Sequence, residues 1–156
     1  MARQLWLLRH GEAVPHDAAE SDAARELTGR GRDQARAAGQ ALAALGVEVH
    51  FLFTSPKVRS RETALLAAEA LDVDPIEHEP LAEGFDADDV FELLAIAGED
   101  QRVLVVGHEP DFSQVAHDLT GARVALKKGG VAGIRLDGRR GELIVLLRPR
   151  ELDRIG

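Results

Sequence analysis

A chain of 156 residues, 45% apolar and 29% charged, has the size and mix of one globular domain, residues 1–156, and excludes collagen, a coiled coil and long-range disorder. With no cysteine it also excludes a disulfide scaffold, a thiolate zinc site and a cysteine nucleophile. A net charge of −8 repels nucleic-acid backbones and anionic membranes, no run approaches the ~20 apolar residues of a membrane span, and no secretory signal stands at the start, so a cytoplasmic protein with neither nucleic-acid nor membrane partner is expected.

Residues 4–9 hold the unbroken run Leu5-Trp6-Leu7-Leu8, which predicts a strand buried on both faces and stopped at His10-Gly11. Residues 14–26 are polar and rich in Ala and Asp, as in a surface loop. Thr28 is the predicted N-cap of a helix to about Leu45, with Ala35, Ala38, Leu42 and Leu45 on one face and Gly46 as its stop. A second strand is predicted over residues 49–53. Ser55 then caps a helix to about Leu71, with Pro56 at its first position. Residues 72–84 read as irregular. Asp86 caps a helix with Val90, Leu93, Leu94 and Ala97 apolar, ended by Gly98. Residues 102–106 predict a third strand, with Gly107-His108 at its end. Residues 110–119 predict a helix stopped by Gly121. Residues 131–136 and 142–147 predict a hairpin turning over 137–141.

The order β-α-β-α-α-β-α-β-β predicts an α/β fold, three-layer α/β/α, with a mostly parallel central sheet and a C-terminal antiparallel hairpin. Sites in such sheets form at the carboxyl ends of strands. Arg9-His10-Gly11 ends the first strand, Gly107-His108 ends the third, and Arg59 opens the helix after the second. All three therefore map to one sheet edge, where helix N-termini add positive potential. Arginine forks match phosphate oxygens, so the constellation suits a dianionic phosphoryl group. Gly11 either lets the backbone approach phosphate or makes a plain turn. Six histidines raise the question of a metal, but no H-E-x-x-H or similar spacing occurs, and Arg9 and Arg59 would repel a cation. No metal and no cofactor are expected. His16, His50, His78 and His117 read as structural or surface residues. Lys127 and Lys128 read as a solvated turn, or else as the pocket rim.

Four segments, LLRHGEA at 7–13, LTGRGRDQA at 27–35, TSPKVRSRETA at 54–64 and VVGHEP at 105–110, carry a resemblance that spans most of the chain. In order and spacing they resemble the histidine phosphatase superfamily, also called phosphoglycerate mutase-like. The short length and the GHEPDFS segment look most like its SixA-type phosphohistidine phosphatases, which lack the insertions that cover the pocket in larger relatives. The resemblance implies a metal-independent phosphatase in which His10 is the nucleophile and forms a phosphohistidine. Arg9, Arg59 and a protonated His108 would clamp the phosphoryl oxygens. Arg61 competes with Arg59, which is preferred because its spacing to Thr63-Ala64 matches the family pattern. Many members take a proton from a glutamate between the second and third strands, a place that Glu83 can fill. Glu109 stands where asparagine is common, and a carboxylate there would favour the imidazolium of His108. The implied substrate is phosphohistidine on a partner protein. A small phosphate ester is the alternative, as is a non-catalytic phosphate-binding module. A mutase is disfavoured, since it needs a closed pocket. The oligomeric state is left open.

Overall fold

The protein is described from a computed structural model covering residues 2–156. Along the chain run β1 (Arg3–Arg9), α1 (Gly29–Ala44), β2 (Phe51–Thr54), α2 (Val58–Leu71), β3 (Pro75–Glu77), α3 (Ala87–Leu94), β4 (Arg102–Gly107), α4 (Asp111–Thr120), β5 (Val131–Asp137), β6 (Arg140–Leu147) and α5 (Pro149–Ile155). The six strands form one sheet in the order β3-β2-β4-β1-β5-β6. The first four of these are parallel, while β5 and β6 join as an antiparallel hairpin.

Strand alternation divides the core in two. Leu5 and Leu7 of β1 face one side, packed with Val103, Val105, Phe112 and Val115 under α3 and α4. Trp6 and Leu8 face the other, with Leu42, Ala64, Ala67 and Leu152 from α1, α2 and α5. These are the expected three layers. The Trp6 indole lies across from Gly133, where a Cβ would stand 2.9 Å from the ring. A glycine is needed there for the indole to fit.

Several boundaries differ from the sequence expectation. Strand β2 starts at Phe51 and not at residue 49. Helix α2 starts at Val58, and Ser55 is not its N-cap; Ser55 Oγ accepts the Lys57 N–H at 3.2 Å in the turn before it. Residues 72–84 are not wholly irregular. They contain β3, an edge strand of three residues, and a 3-10 turn over Glu79–Leu81. The 14–26 loop likewise holds 3-10 turns at His16–Ala18 and Asp22–Ala24. Helix α3 stops at Leu94, three residues before Ala97. The hairpin turn is only Gly138-Arg139, with Gly138 at φ 60°, because Asp137 pairs with Arg140 and Leu136 with Gly141. Helix α5 was not expected. No helix among the described residues is long and apolar enough to cross a membrane.

Helices α1 and α2 pack without room for a side chain at Gly39, where a Cβ would run into the Ala67 carbonyl. Gly39→Ala is expected to lower stability by about 1–3 kcal/mol, the usual scale for overpacking. Gly29→Ala, at an open position of the same helix, should be neutral or mildly stabilising. Denaturant unfolding of the two variants checks the contrast.

Candidate active site

The site begins with strand register. Arg9 of β1 pairs with Gly107 of β4, and the His10 N–H extends the ladder by donating to the Gly107 carbonyl at 3.1 Å. The next residues on the two strands, His10 and His108, are thereby neighbours, with ring centroids 5.2 Å apart. On the far side of β4, the end of β2 delivers Ser55, whose Oγ lies 2.8 Å from His108 Nε2. Ser60, in the first turn of α2, adds a second hydroxyl at 3.4 Å.

His10 is 6% exposed. Its Nδ1 lies 2.7 Å from the Gly11 carbonyl oxygen, which can only accept. Nδ1 therefore carries the proton and Nε2 keeps a lone pair. The Arg59 Nε–H donates to that Nε2 at 3.3 Å. Burial lowers the pKa to about 4, helped by the charges of Arg59, Arg9 and Lys128 and opposed by the Gly11 carbonyl. At neutral pH the ring is uncharged, as a nitrogen nucleophile must be.

His108 departs from expectation. Burial, followed by the charges of His10, Arg59 and Lys57, pulls its pKa down to about 3 against the opposing pull of Asp22. Without a bound anion it is neutral, not the expected imidazolium. Glu109 does not supply the expected charge, because its carboxylate turns toward α4. It accepts the Ser113 N–H at 2.7 Å, the Ser113 hydroxyl and the Leu126 N–H at 3.3 Å. The physical reason is that Pro110, at the N-cap of α4, has no side-chain acceptor to offer.

Arg9 donates through Nη1 to the Leu126 carbonyl at 2.9 Å. Its Nε, together with His108 Nδ1, makes up the buried side-chain polar atoms that lack a partner among the described residues. Leaving such a group unpaired costs about 1–3 kcal/mol. Both belong to groups whose chemistry suits an anion.

Arg59, 6% exposed, reaches Asp22 through Nη1 to the backbone oxygen at 2.8 Å and Nη2 to Oδ2 at 3.2 Å. Lys57 Nζ lies 3.2 Å from the same Oδ2. Burial would raise the Asp22 pKa, but hydrogen bonds from Lys57 and Arg25 and the charge of Arg59 hold it well below the usual carboxylate range. Arg61, the competing arginine, is exposed and pairs with Glu77 at 3.4 Å. Glu83 stands at the rim with its side chain 86% exposed, 3.6 Å from Lys57 Nζ. Gly11 is crowded by protein: a Cβ would lie 2.5 Å from the Gly31 oxygen, and its N–H already donates to Thr63 Oγ1 at 3.1 Å. The constraint there is the close approach of α1. The structure thus gathers Arg9, His10, Arg59 and His108, and leaves Glu83 at the edge. Sequence reasoning missed Asp22, Lys57, Ser55 and Ser60. The described residues contain no group of three or more His, Cys, Asp or Glu able to hold a metal.

The family model of the histidine phosphatase superfamily (branch 1) matches residues 5–89. An uncharacterised protein of Picosynechococcus is 32% identical over 96% of this chain and 98% of its own. The mitochondrial serine/threonine-protein phosphatase Pgam5 of Drosophila ananassae is 48% identical over 40% of this chain, which spans only 21% of that protein. The structure of the protein histidine phosphatase SixA complexed with tungstate overlays with a TM-score of 0.87 at 26% identity, covering 96% of this chain and 99% of the other.

The two neutral histidines make stability depend on pH in a definite direction. Unfolded imidazoles protonate near 6.5, whereas the folded ones resist until about 4 and about 3. The unfolded state therefore binds more protons below 6.5, and the fold weakens as pH falls through that window, by up to about 1.4 kcal/mol per pH unit per histidine. Denaturant midpoints should drop from pH 7.5 to pH 5. The drop should shrink in His10→Gln and His108→Gln.

Proposed function

The chain belongs to the histidine phosphatase superfamily, as a phosphatase of the SixA type, and we propose that it removes the phosphoryl group from phosphohistidine on a partner protein through a phosphohistidine formed at its own His10, without a metal ion. The observation that carries this reading is the tautomer of His10. Its proton is tied to the Gly11 carbonyl, and its Nε2 lone pair stands beside Arg59.

In this reading, Nε2 attacks phosphorus, and the bond from phosphorus to the substrate imidazole breaks with its electron pair. The departing imidazole takes a proton from solvent and leaves, and the water of the next step returns one to solvent. Water then attacks the phosphorylated His10, the new P–N bond breaks, and orthophosphate departs with His10 restored. Arg9 and Arg59 hold the oxygens with guanidinium forks. Ser55 Oγ, already accepting from the Lys57 N–H, is free to give its own proton to His108 Nε2. That leaves the unpartnered Nδ1–H of His108 for a phosphoryl oxygen. A bound dianion would also push the His108 pKa upward. Four cations around the histidines, Arg9, Arg59, Lys57 and Lys128, disfavour a metal there.

Leaving-group chemistry supports the substrate. An alkoxide needs a well-placed acid, worth about 10²–10⁴-fold. The carboxylate proposed for that task, Glu83, is exposed and tied to Lys57. An imidazole leaves phosphorus more readily and asks less of the donor. Tungstate, the ligand in the SixA complex, is a tetrahedral oxyanion like phosphate, which supports an oxyanion site in this fold. Residues 1–156 act as one catalytic unit.

His10→Ala is expected to abolish turnover, and wild type quenched during turnover of labelled substrate should carry an acid-labile, base-stable label. A label on serine or aspartate would overturn the assignment. Arg59→Ala should lower kcat/KM by about 10²–10³-fold, the scale of one preorganised donor, while Arg61→Ala stays within a few-fold of wild type. EDTA should leave activity intact; a loss restored by a divalent ion would sink the metal-free reading. Glu83→Gln should harm monoester hydrolysis more than phosphohistidine hydrolysis. A wild type preferring a small ester by tenfold would reject the substrate and leave the phosphatase standing.

A further inference from the structure

An open cleft of about 540 Å³ adjoins the site and shares Arg9 with it, although neither Arg59 nor His108 lines it. Six of its nine lining residues are basic, on a chain of net charge −8, so the local field opposes that of the molecule. Some of that charge is met internally. Arg148 pairs with Glu151 at 2.9 Å, Arg150 lies 3.7 Å from the same carboxylate, and Arg30 lies 3.7 Å from Glu12. Lys127 and Lys128, both exposed, form no ion pair among the described residues.

The two lysines are held in place. The Gly130 N–H donates to the Lys127 carbonyl at 2.7 Å, and the Gly129 N–H is shared between the carbonyls of Arg9 and His10, 3.0 Å from each. Gly129 has φ 79°, and a Cβ there would lie 2.9 Å from Gln34 Cβ. The turn is thus fastened to the backbone of the nucleophile itself. Lys128 is near enough to His10 for its charge to disfavour the imidazolium. Lys127 and Lys128, with no protein carboxylate paired to them among the described residues, are poised for an anion from outside. The transferred phosphoryl is not that anion, because Arg59 and His108, which hold it in the reading above, lie outside the cleft.

We propose that the cleft seats an acidic segment of the phosphorylated partner protein, with carboxylates that flank the phosphohistidine, and so selects among partners. This rests on the phosphohistidine-protein reading above. A run of carboxylates fits better than a second phosphate, because the cations other than Arg9 are exposed side chains spread along an open trough and not a nest of backbone N–H groups.

The test uses two matched phosphohistidine peptides, one flanked by glutamates and one by glutamines. Wild type should favour the acidic peptide in kcat/KM by about tenfold or more, the scale of electrostatic steering. The ratio should collapse toward one at about 1 M salt, where screening reaches ~3 Å. It should also collapse in the combined variant Arg30→Glu, Lys127→Glu, Arg150→Glu. A ratio of one in wild type at low salt would overturn the proposal, as would a ratio that survives both the salt and the charge reversal. If neither peptide is hydrolysed while an aryl phosphate is, the phosphohistidine reading fails. An unphosphorylated glutamate-rich peptide then decides the cleft on its own. It should inhibit aryl phosphate turnover in wild type more than in the variant, and equal or absent inhibition would overturn the cleft as an acidic seat.

Discussion

The parallel pairing of β1 with β4 is the constraint on which the site rests. Adjacent strands lie about 4.8 Å apart, so residues leaving their carboxyl ends at the same register emerge within contact distance. Arg9 opposite Gly107 makes His10 and His108 such a pair. A slip by one residue would turn one of the two rings to the other face of the sheet. The hydrophobic pattern alone cannot prevent this slip, since β1 is apolar on both faces. Size pins the other edge of β1, where Trp6 needs the space above Gly133 of β5.

The second constraint is electrostatic. Two imidazoles are buried among guanidinium and ammonium groups, and burial and charge act in the same direction to keep both neutral. For His10 this is the form that a nitrogen nucleophile requires. The Gly11 carbonyl then decides which nitrogen is available, and it does so with a backbone atom that no substitution of a side chain removes. The same polypeptide turn is held from behind by Thr63, which accepts from Gly11 N–H and donates to the Arg59 carbonyl at 2.7 Å. The turn after His10 and the backbone of Arg59 are thus tied to one hydroxyl.

Much of this was legible in the sequence because it depends on strong local signals. The runs Leu5–Leu8 and Val103–Val106 can be little else than buried strands, and Thr28 and Asp86 cap their helices as their residue types suggest. The losses have physical reasons. Strand β3 has three residues, begins with proline and leaves Ile76 exposed, so it carries neither length nor alternation. Helix α5 has at its N-cap position Arg148, whose side chain has no acceptor to cap with; the Arg148 N–H instead donates to Glu151, three residues on. Asp22 sits in a polar loop without periodicity, and its partners, Lys57 and Arg59, come from more than thirty positions away. Adjacency also misled. Glu109 follows His108 in the chain, yet the carboxylate answers to the backbone of α4.

Asp22 has a consequence for turnover. Arg59 is not bare, because Asp22 already occupies two of its nitrogens, Nη1 through the backbone carbonyl oxygen and Nη2 through the carboxylate Oδ2. Any phosphoryl oxygen that takes Arg59 Nη2 exchanges one counter-ion for another. The free energy of capture is then the difference between two ion pairs and not the whole of one. An exchange of this kind holds an anion less tightly than a bare guanidinium would, so orthophosphate at Arg59 would face a ready competitor for the same nitrogen.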